Sequence, residues 1–255
     1  MTIPREAIQP TADLLVNYDQ YVAHLQKLST SPRVKIERVG ESTEGRGLFS
    51  IVIAAEDVIA NLDYHREQSL QLQQPQVTHT RIAEWTQQPR PEQPDDVRFP
   101  TMVLAHTFGH EAAHLEALLR IADHLAWSDA AEVQAILAKE IVVVYPLANP
   151  DGREIALDFW KDNPYGEDSQ VAGDHYGFYV NRDLLHLTSP EGKGVMAAFQ
   201  RWRPVMVYDA HEDVFFVGVQ TTATCWAPAF GNAFGKDLPE NMQAVVQRLS
   251  EAIIA

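Results

Sequence analysis

The chain has 255 residues, enough for one large α/β domain with a substantial core or at most two small domains. Its 45% hydrophobic and 22% charged content is that of a soluble globular protein, and a formal charge of −15 scattered along the chain argues against a nucleic-acid or anionic-membrane partner. One cysteine, Cys225, excludes a disulfide framework and a four-cysteine zinc site; the opening MTIPREAIQP lacks a leader pattern and no apolar run approaches the ~18 residues of a membrane span, so a cytoplasmic location is expected.

Residues 11–30 set Leu14, Leu15, Tyr18, Tyr21, Val22 and Leu25 at helical spacing, which predicts an amphipathic helix. In RVKIERVGESTEGRGLFSIVIA (33–54) two alternating apolar segments flank a glycine-containing turn, the pattern of a hairpin. Residues 68–98 are rich in Gln and Pro and predict an irregular insertion at the surface. PTMVLAH (100–106) reads as a short buried strand and EAAHLEALLRIADHLA (111–126) as a strong helix. A second helix, DAAEVQAILAKE, leads into the strand IVVVYPLA; another, PEGKGVMAAFQRW, precedes the strand PVMVYDAH; and the chain ends in a predicted helix, NMQAVVQRLSEAIIA. Strand–helix–strand repetition with near-continuous apolar strands predicts a three-layer α/β/α sandwich around a mostly parallel mixed sheet, in a single domain spanning residues 1–255.

In such sheets functional groups gather at the carboxyl ends of the strands. The strands ending near Ala105, Leu147 and Tyr208 are each followed at once by a polar cluster: HTFGHE at 106–111, NPDGRE at 149–154 and DAHED at 209–213. A fourth cluster, YVNRDLLHLTSPEG, lies between the last two.

These clusters carry a resemblance. Over residues 34–255 the sequence is similar to the zinc carboxypeptidase family: GESTEGR at 40–46 resembles its entry hairpin, PLANPDG at 146–152 its asparagine-proline-aspartate-glycine turn, NRD at 181–183 with PE at 190–191 its carboxylate-binding segment, and VMVYDAHE at 205–212 the strand ending in its last zinc histidine. The resemblance implies a Zn²⁺ cofactor held by His211 and Glu111 together with a histidine of the first motif, His110 or else His106, leaving one position for water. It implies that Arg182, with Asn181 beside it, binds the terminal carboxylate of a peptide substrate, and that Lys161 stands where the family uses an arginine to stabilise the oxyanion. The implied reaction is removal of a C-terminal residue by zinc-activated water.

Two departures qualify these expectations. Aligning Glu111 with the family glutamate puts Phe108 on the first zinc histidine, and phenylalanine cannot ligate zinc. The same stretch spells HEAAH, the HExxH zincin pattern, in which His110 and His114 would face the metal from within a helix and Glu111 would act as base. Only 44 residues follow His211, whereas the family's general base lies well beyond its last zinc histidine, so the domain is expected to be incomplete at its C-terminal end and the base absent. Glu212 and Asp213 are poor substitutes, and Asp209 is better placed as a hydrogen-bond partner of His211. An inactive domain of the same fold that binds peptide termini is the competing expectation. The apolar, aromatic stretch 215–235 could line a specificity pocket or cover the sheet.

Overall fold

The computed structural model describes residues 15–73, 95–105, 107–111, 113–162 and 173–211. By its contacts the chain divides into two units, 1–212 and 213–255, and the whole of the second, with the helix expected at 241–255, lies outside the described residues.

The first helix, α1 (Tyr18–Leu28), starts later than apolar spacing alone suggests. Asn17 caps it: its Oδ1 accepts from the Gln20 N–H at 2.9 Å, while Gln20 Oε1 accepts from the Asn17 N–H at 2.9 Å. This reciprocal box satisfies two donors that a helix start would leave unpaired, and so sets the boundary. Residues 11–14 lie outside the described residues.

The hairpin forms as expected, from β1 (Val34–Glu41) and β2 (Gly47–Ile53) paired antiparallel. Gly45, at φ +82°, supplies the left-handed residue of its turn. Two helices follow, α2 (Glu56–Ala60) and α3 (Leu62–Gln73). The second corrects the predicted insertion at 68–98, because residues 68–73 are helical. Gln and Leu are good helix formers, and Leu62, His65 and Ser69 give α3 one buried face. Residues 95–98 are irregular, and 74–94 lie outside the described residues.

The alternating part of the chain is β3 (Phe99–Ala105), α4 (Ala113–Trp127), α5 (Ala131–Leu137), β4 (Glu140–Tyr145), α6 (Pro150–Asp162), α7 (Val180–Asp183), α8 (Pro190–Trp202) and β5 (Met206–Ala210). The five strands form one mixed sheet in the order β1-β2-β4-β3-β5. β3 runs parallel to both β4 and β5, whereas the hairpin joins antiparallel through β2 and β4.

Helices cover both faces. Val142 and Val144 of β4 point to one face, with Ile51 and Ile53, where α1, α4 and α5 contribute Tyr21, Leu25, Leu118, Leu119 and Val133. Ile141, Val143 and Tyr145 point to the other, where α2, α3 and α8 contribute Val58, Leu62, Val195 and Trp202. An alternating backbone buried on both sides needs apolar residues at every position, hence the uninterrupted IVVVY. Each fully buried Val, Leu or Ile contributes roughly 1.5–3 kcal/mol. α4 faces this core with Leu115, Leu118, Leu119, Ala122 and Leu125, whereas Ile121 is turned out. Among the described residues no helix is long and apolar enough to cross a membrane.

Two buried acids lock the hairpin turn to the sheet's helices. Asp151, in the first turn of α6, accepts from Ser42 Oγ at 2.7 Å, the Glu44 N–H at 2.9 Å and Arg46 Nη1 at 2.7 Å. Glu191, in the first turn of α8, accepts from the Thr43 N–H at 2.8 Å. Burial, then the nearby charges of Asp151 and Asp174, push the Glu191 carboxyl above its usual range, against the backbone hydrogen bonds that lower it. Asn149 starts α6 by accepting from the Gly152 N–H at 2.9 Å, and a side chain at Gly152 would meet the Gly173 carbonyl 2.3 Å away.

Candidate active site

The parallel pairing of β3 and β5, in register at Ala105 and Ala210, brings the segments that leave these two strands to one end of the sheet. His211 leaves β5 there, and residues 107–111 leave β3 in a turn before α4 begins at Ala113. Thr107, Phe108, His110 and Glu111 are all buried.

Glu111 and His211 meet. His211 Nδ1 lies 3.1 Å from both Glu111 oxygens, and its Nε2 lies 3.1 Å from Asp209 Oδ2, the partner expected for it. Burial disfavours the imidazolium, yet hydrogen bonds and charge from Asp209 and Glu111 outweigh it and raise His211 to about 10. His114, in the first turn of α4, has its Nδ1 3.9 Å from Glu111 Oε2; burial and the neighbouring His211 charge lower it to about 4.

Phe108 occupies the centre of this arrangement. Its ring centroid lies 5.7 Å from His211, 5.6 Å from His110 and 5.1 Å from Tyr179, and the Arg182 guanidinium carbon stands 5.8 Å from it. Arg182 is exposed on α7, and among the described residues no ion-pair partner is recorded for it. The carboxylate beside it in sequence, Asp183, turns inward instead. It accepts from the Thr188 N–H at 2.9 Å, from the Ser189 N–H and Oγ at 2.7 Å each, and from Thr188 Oγ1. Burial alone would raise its carboxyl, but these hydrogen bonds win and lower it to about 2. Asn181 Oδ1 is buried and, among the described residues, finds no hydrogen-bond partner.

The other expected site residues fall as follows. His106 lies outside the described residues. His110 is buried against Phe108. Lys161, in the last turn of α6, is well exposed with its Nζ 2.7 Å from Asp158 Oδ1; its described partner is that carboxylate one helical turn back rather than a group of the site. The zincin reading is corrected: His110 and Glu111 precede α4, so HEAAH is not carried on a helix. Sequence reasoning did not anticipate Phe108 as the contact between the two halves of the site, nor the packing of Tyr179 on it.

A carboxylate oxygen and an imidazole nitrogen are donors that suit zinc. Around a tetrahedral ion with bonds of about 2.0–2.1 Å, donors stand about 3.3–3.4 Å apart, so the Glu111–His211 separation fits two ligands of one ion, and Asp209 on the other ring nitrogen fits the usual outer partner. Among the described residues, no three His, Cys, Asp or Glu side chains are gathered closely enough to hold a metal ion as they stand.

The zinc carboxypeptidase family model matches residues 19–202, more than half of the chain, and the chain belongs to that family. No curated protein matches significantly. Among solved structures, the chain is similar to a metallo-carboxypeptidase from Burkholderia cenocepacia, with 15% identity and a TM-score of 0.51 over 87% of this chain and 50% of that one. It is also similar to carboxypeptidase A from Helicoverpa armigera, with 17% identity and a TM-score of 0.51 over 80% of this chain and 47% of that one. At these identities the likeness is one of fold, and the chain spans about half the length of these structures.

Proposed function

We propose that this chain carries the metal-binding and carboxylate-binding part of a zinc-dependent carboxypeptidase that removes a C-terminal residue from a peptide. The observation that supports this most is the shared contact on Phe108: the His211 half of the Glu111–His211 pair and the exposed Arg182 both pack on one ring. A cation for a terminal carboxylate thus lies within a side chain's reach of a pair of metal-type donors.

Glu111 and His211 would hold zinc, together with an imidazole from the 106–114 run. Lewis acidity toward the scissile carbonyl and toward water is the chemistry such an ion supplies when bound. Asp209 keeps the His211 ring oriented through Nε2. Arg182 takes the terminal carboxylate in bidentate fashion, and the Asn181 Oδ1 offers an acceptor that a bound peptide N–H would satisfy. Because Asp183 is committed to Thr188 and Ser189, it does not compete for the Arg182 guanidinium.

The test is to incubate the chain, loaded with one equivalent of zinc, with N-blocked peptides bearing either a free or an amidated C-terminus. Release of the last residue from the free peptides alone is expected. Zinc-loaded chain that binds the free peptides without releasing any residue would sink the hydrolytic reading and leave a peptide-terminus-binding domain. Phe108 at the position of a family zinc ligand is the observation that favours that second reading.

A further inference from the structure

We infer that the chain has a second binding site, remote from the Glu111–His211 pair, for a small zwitterion of the free aliphatic α-amino acid class. It is a cavity of about 310 Å³ where α2 and α3 meet the 95–98 segment, lined in part by Asp57, Val58, Tyr64, His65, Asp96 and Arg98. Arg98 immediately precedes β3, a strand of 7 residues, whereas the Glu111–His211 pair lies past its other end. At about 3.3 Å per residue the strand separates the two places by about 20 Å, so a small ligand in the cavity does not touch that pair. The inference therefore stands apart from the zinc reading.

Arg98 sets the anionic end of the ligand. Its Nη1 donates to the Asp95 carbonyl at 2.9 Å, which fixes the guanidinium. Its Nε, on the edge that makes a fork with a carboxylate, is buried and has no partner among the described residues. Buried donors are almost always met, so an acceptor is expected in the cavity that Arg98 lines. Although the chain carries a formal charge of −15, no carboxylate among the described residues forms an ion pair with this guanidinium. His65 adds a second donor. Its Nδ1 accepts from the Arg98 N–H at 3.4 Å, and burial and the Arg98 charge push the ring below its usual range against the pull of Asp96 and Asp57. A neutral ring bonded through Nδ1 carries its proton on Nε2. The carboxylates of Asp57 and Asp96 set the cationic end, and the Tyr64 hydroxyl holds Asp96 by donating to its Oδ2 at 3.1 Å. Two carboxylates repel a simple anion such as phosphate, whereas a zwitterion offers them its ammonium while its carboxylate meets Arg98. Val58, itself buried, gives the wall an apolar patch for an aliphatic side chain. A cavity of about 310 Å³ is near the lower end of small-molecule sites, so it admits one small metabolite.

The experiment is a calorimetric titration of the full chain carrying Arg182→Ala, which removes the cation proposed above for peptide carboxylates. The probes are L-leucine, L-leucinamide, Nα-acetyl-L-leucine and inorganic phosphate. L-leucine is expected to bind at one site. The amide lacks the carboxylate and the acetylated form lacks the ammonium, and each should bind roughly 10–100-fold more weakly. Adding Arg98→Gln should weaken L-leucine by a similar factor, and Arg98→Lys should recover part of the loss, with circular dichroism as the check on folding. Should Arg98→Gln misfold, Asp57→Asn, at an exposed position, reads the ammonium end with the same expected loss. L-leucine that does not bind, or that binds folded Arg98→Gln or Asp57→Asn as well as the parent, overturns the assignment. Equal binding of the amide, the acetylated form or phosphate overturns it as well.

Discussion

His211 Nδ1 lies 3.1 Å from each oxygen of Glu111, across a hundred residues of chain. The contact follows from β3 and β5 lying side by side and parallel, so that the residue leaving one strand faces the loop leaving the other. Two groups of opposite preferred charge are thereby held together in a buried place, where each leans on the other. Replacing Glu111 by Gln keeps the shape and removes the charge. Zinc retained after exhaustive dialysis should then fall from one equivalent to a small fraction, with the fold unchanged by circular dichroism.

In the proposed centre Asp209 would act on the metal only through His211, whose Nε2 it holds. Asp209→Ala should weaken zinc binding by roughly 10–100-fold without changing stoichiometry at saturating metal, which separates it from a ligand. Competition with a chelator of known affinity measures the shift.

Arg182 should matter only to substrates with a free carboxylate. Arg182→Ala is expected to weaken binding of such peptides by roughly 10–100-fold, the range of a lost charge-assisted pair, and to leave amidated peptides unaffected. Arg182→Lys should recover part of the loss, because a point charge replaces the planar fork. Calorimetric titration with matched free and amidated peptides reads both.

Asp183 gives a pH signature. Its carboxyl, usually near 4, sits at about 2 in the folded chain, so its contribution is present above about pH 4 and is lost as the pH falls through about 2. At neutral pH this amounts to about 2 kcal/mol. Asp183→Asn should therefore be less stable than the parent chain in urea at pH 7, and the two curves should converge only below about pH 4, as the pH is lowered toward 2. Parallel curves across that range would show that the hydrogen bonds matter and the charge does not.

Asp151 is buried and takes three hydrogen bonds from the hairpin turn, one of them from Arg46. Asp151→Ala is expected to cost about 2–4 kcal/mol, by stranding Ser42 Oγ and the Glu44 N–H, while the Arg46 guanidinium keeps Glu44 as its remaining partner. Hydrogen exchange should show the 42–46 turn losing protection first.

The sheet was legible because strands buried on both faces must be apolar throughout, and IVVVY and PTMVLA announce themselves. That Glu111 and His211 meet was legible for a related reason: polar residues directly after such strands have nowhere to go but the sheet's end. The α3 helix was missed because its buried face is Leu62, His65 and Ser69, two of them polar, so no apolar stripe marks it. The inward turn of Asp183 was hidden as well, since nothing in NRD itself says which way the carboxylate turns. The Thr188–Ser189–Pro190 helix start that captures it is a capping signal, visible only once Ser189 is read as the cap of α8. Asp151 and Glu191 sit in motifs read as chemical, yet their described contacts are with the hairpin turn.

The inward turn of Asp183 also shapes the electrostatic landscape. On a protein with a formal charge of −15, an approaching anion meets a repulsive field from almost every direction. Arg182, relieved of the carboxylate next to it, is a small attractive well in that field beside Phe108. Salt then works in opposite senses: it screens the long-range repulsion over about 8–10 Å and hastens arrival, while it weakens the final grip. Association and dissociation rates of a peptide carboxylate should both rise with ionic strength, a kinetic signature that an ordinary surface ion pair would not leave.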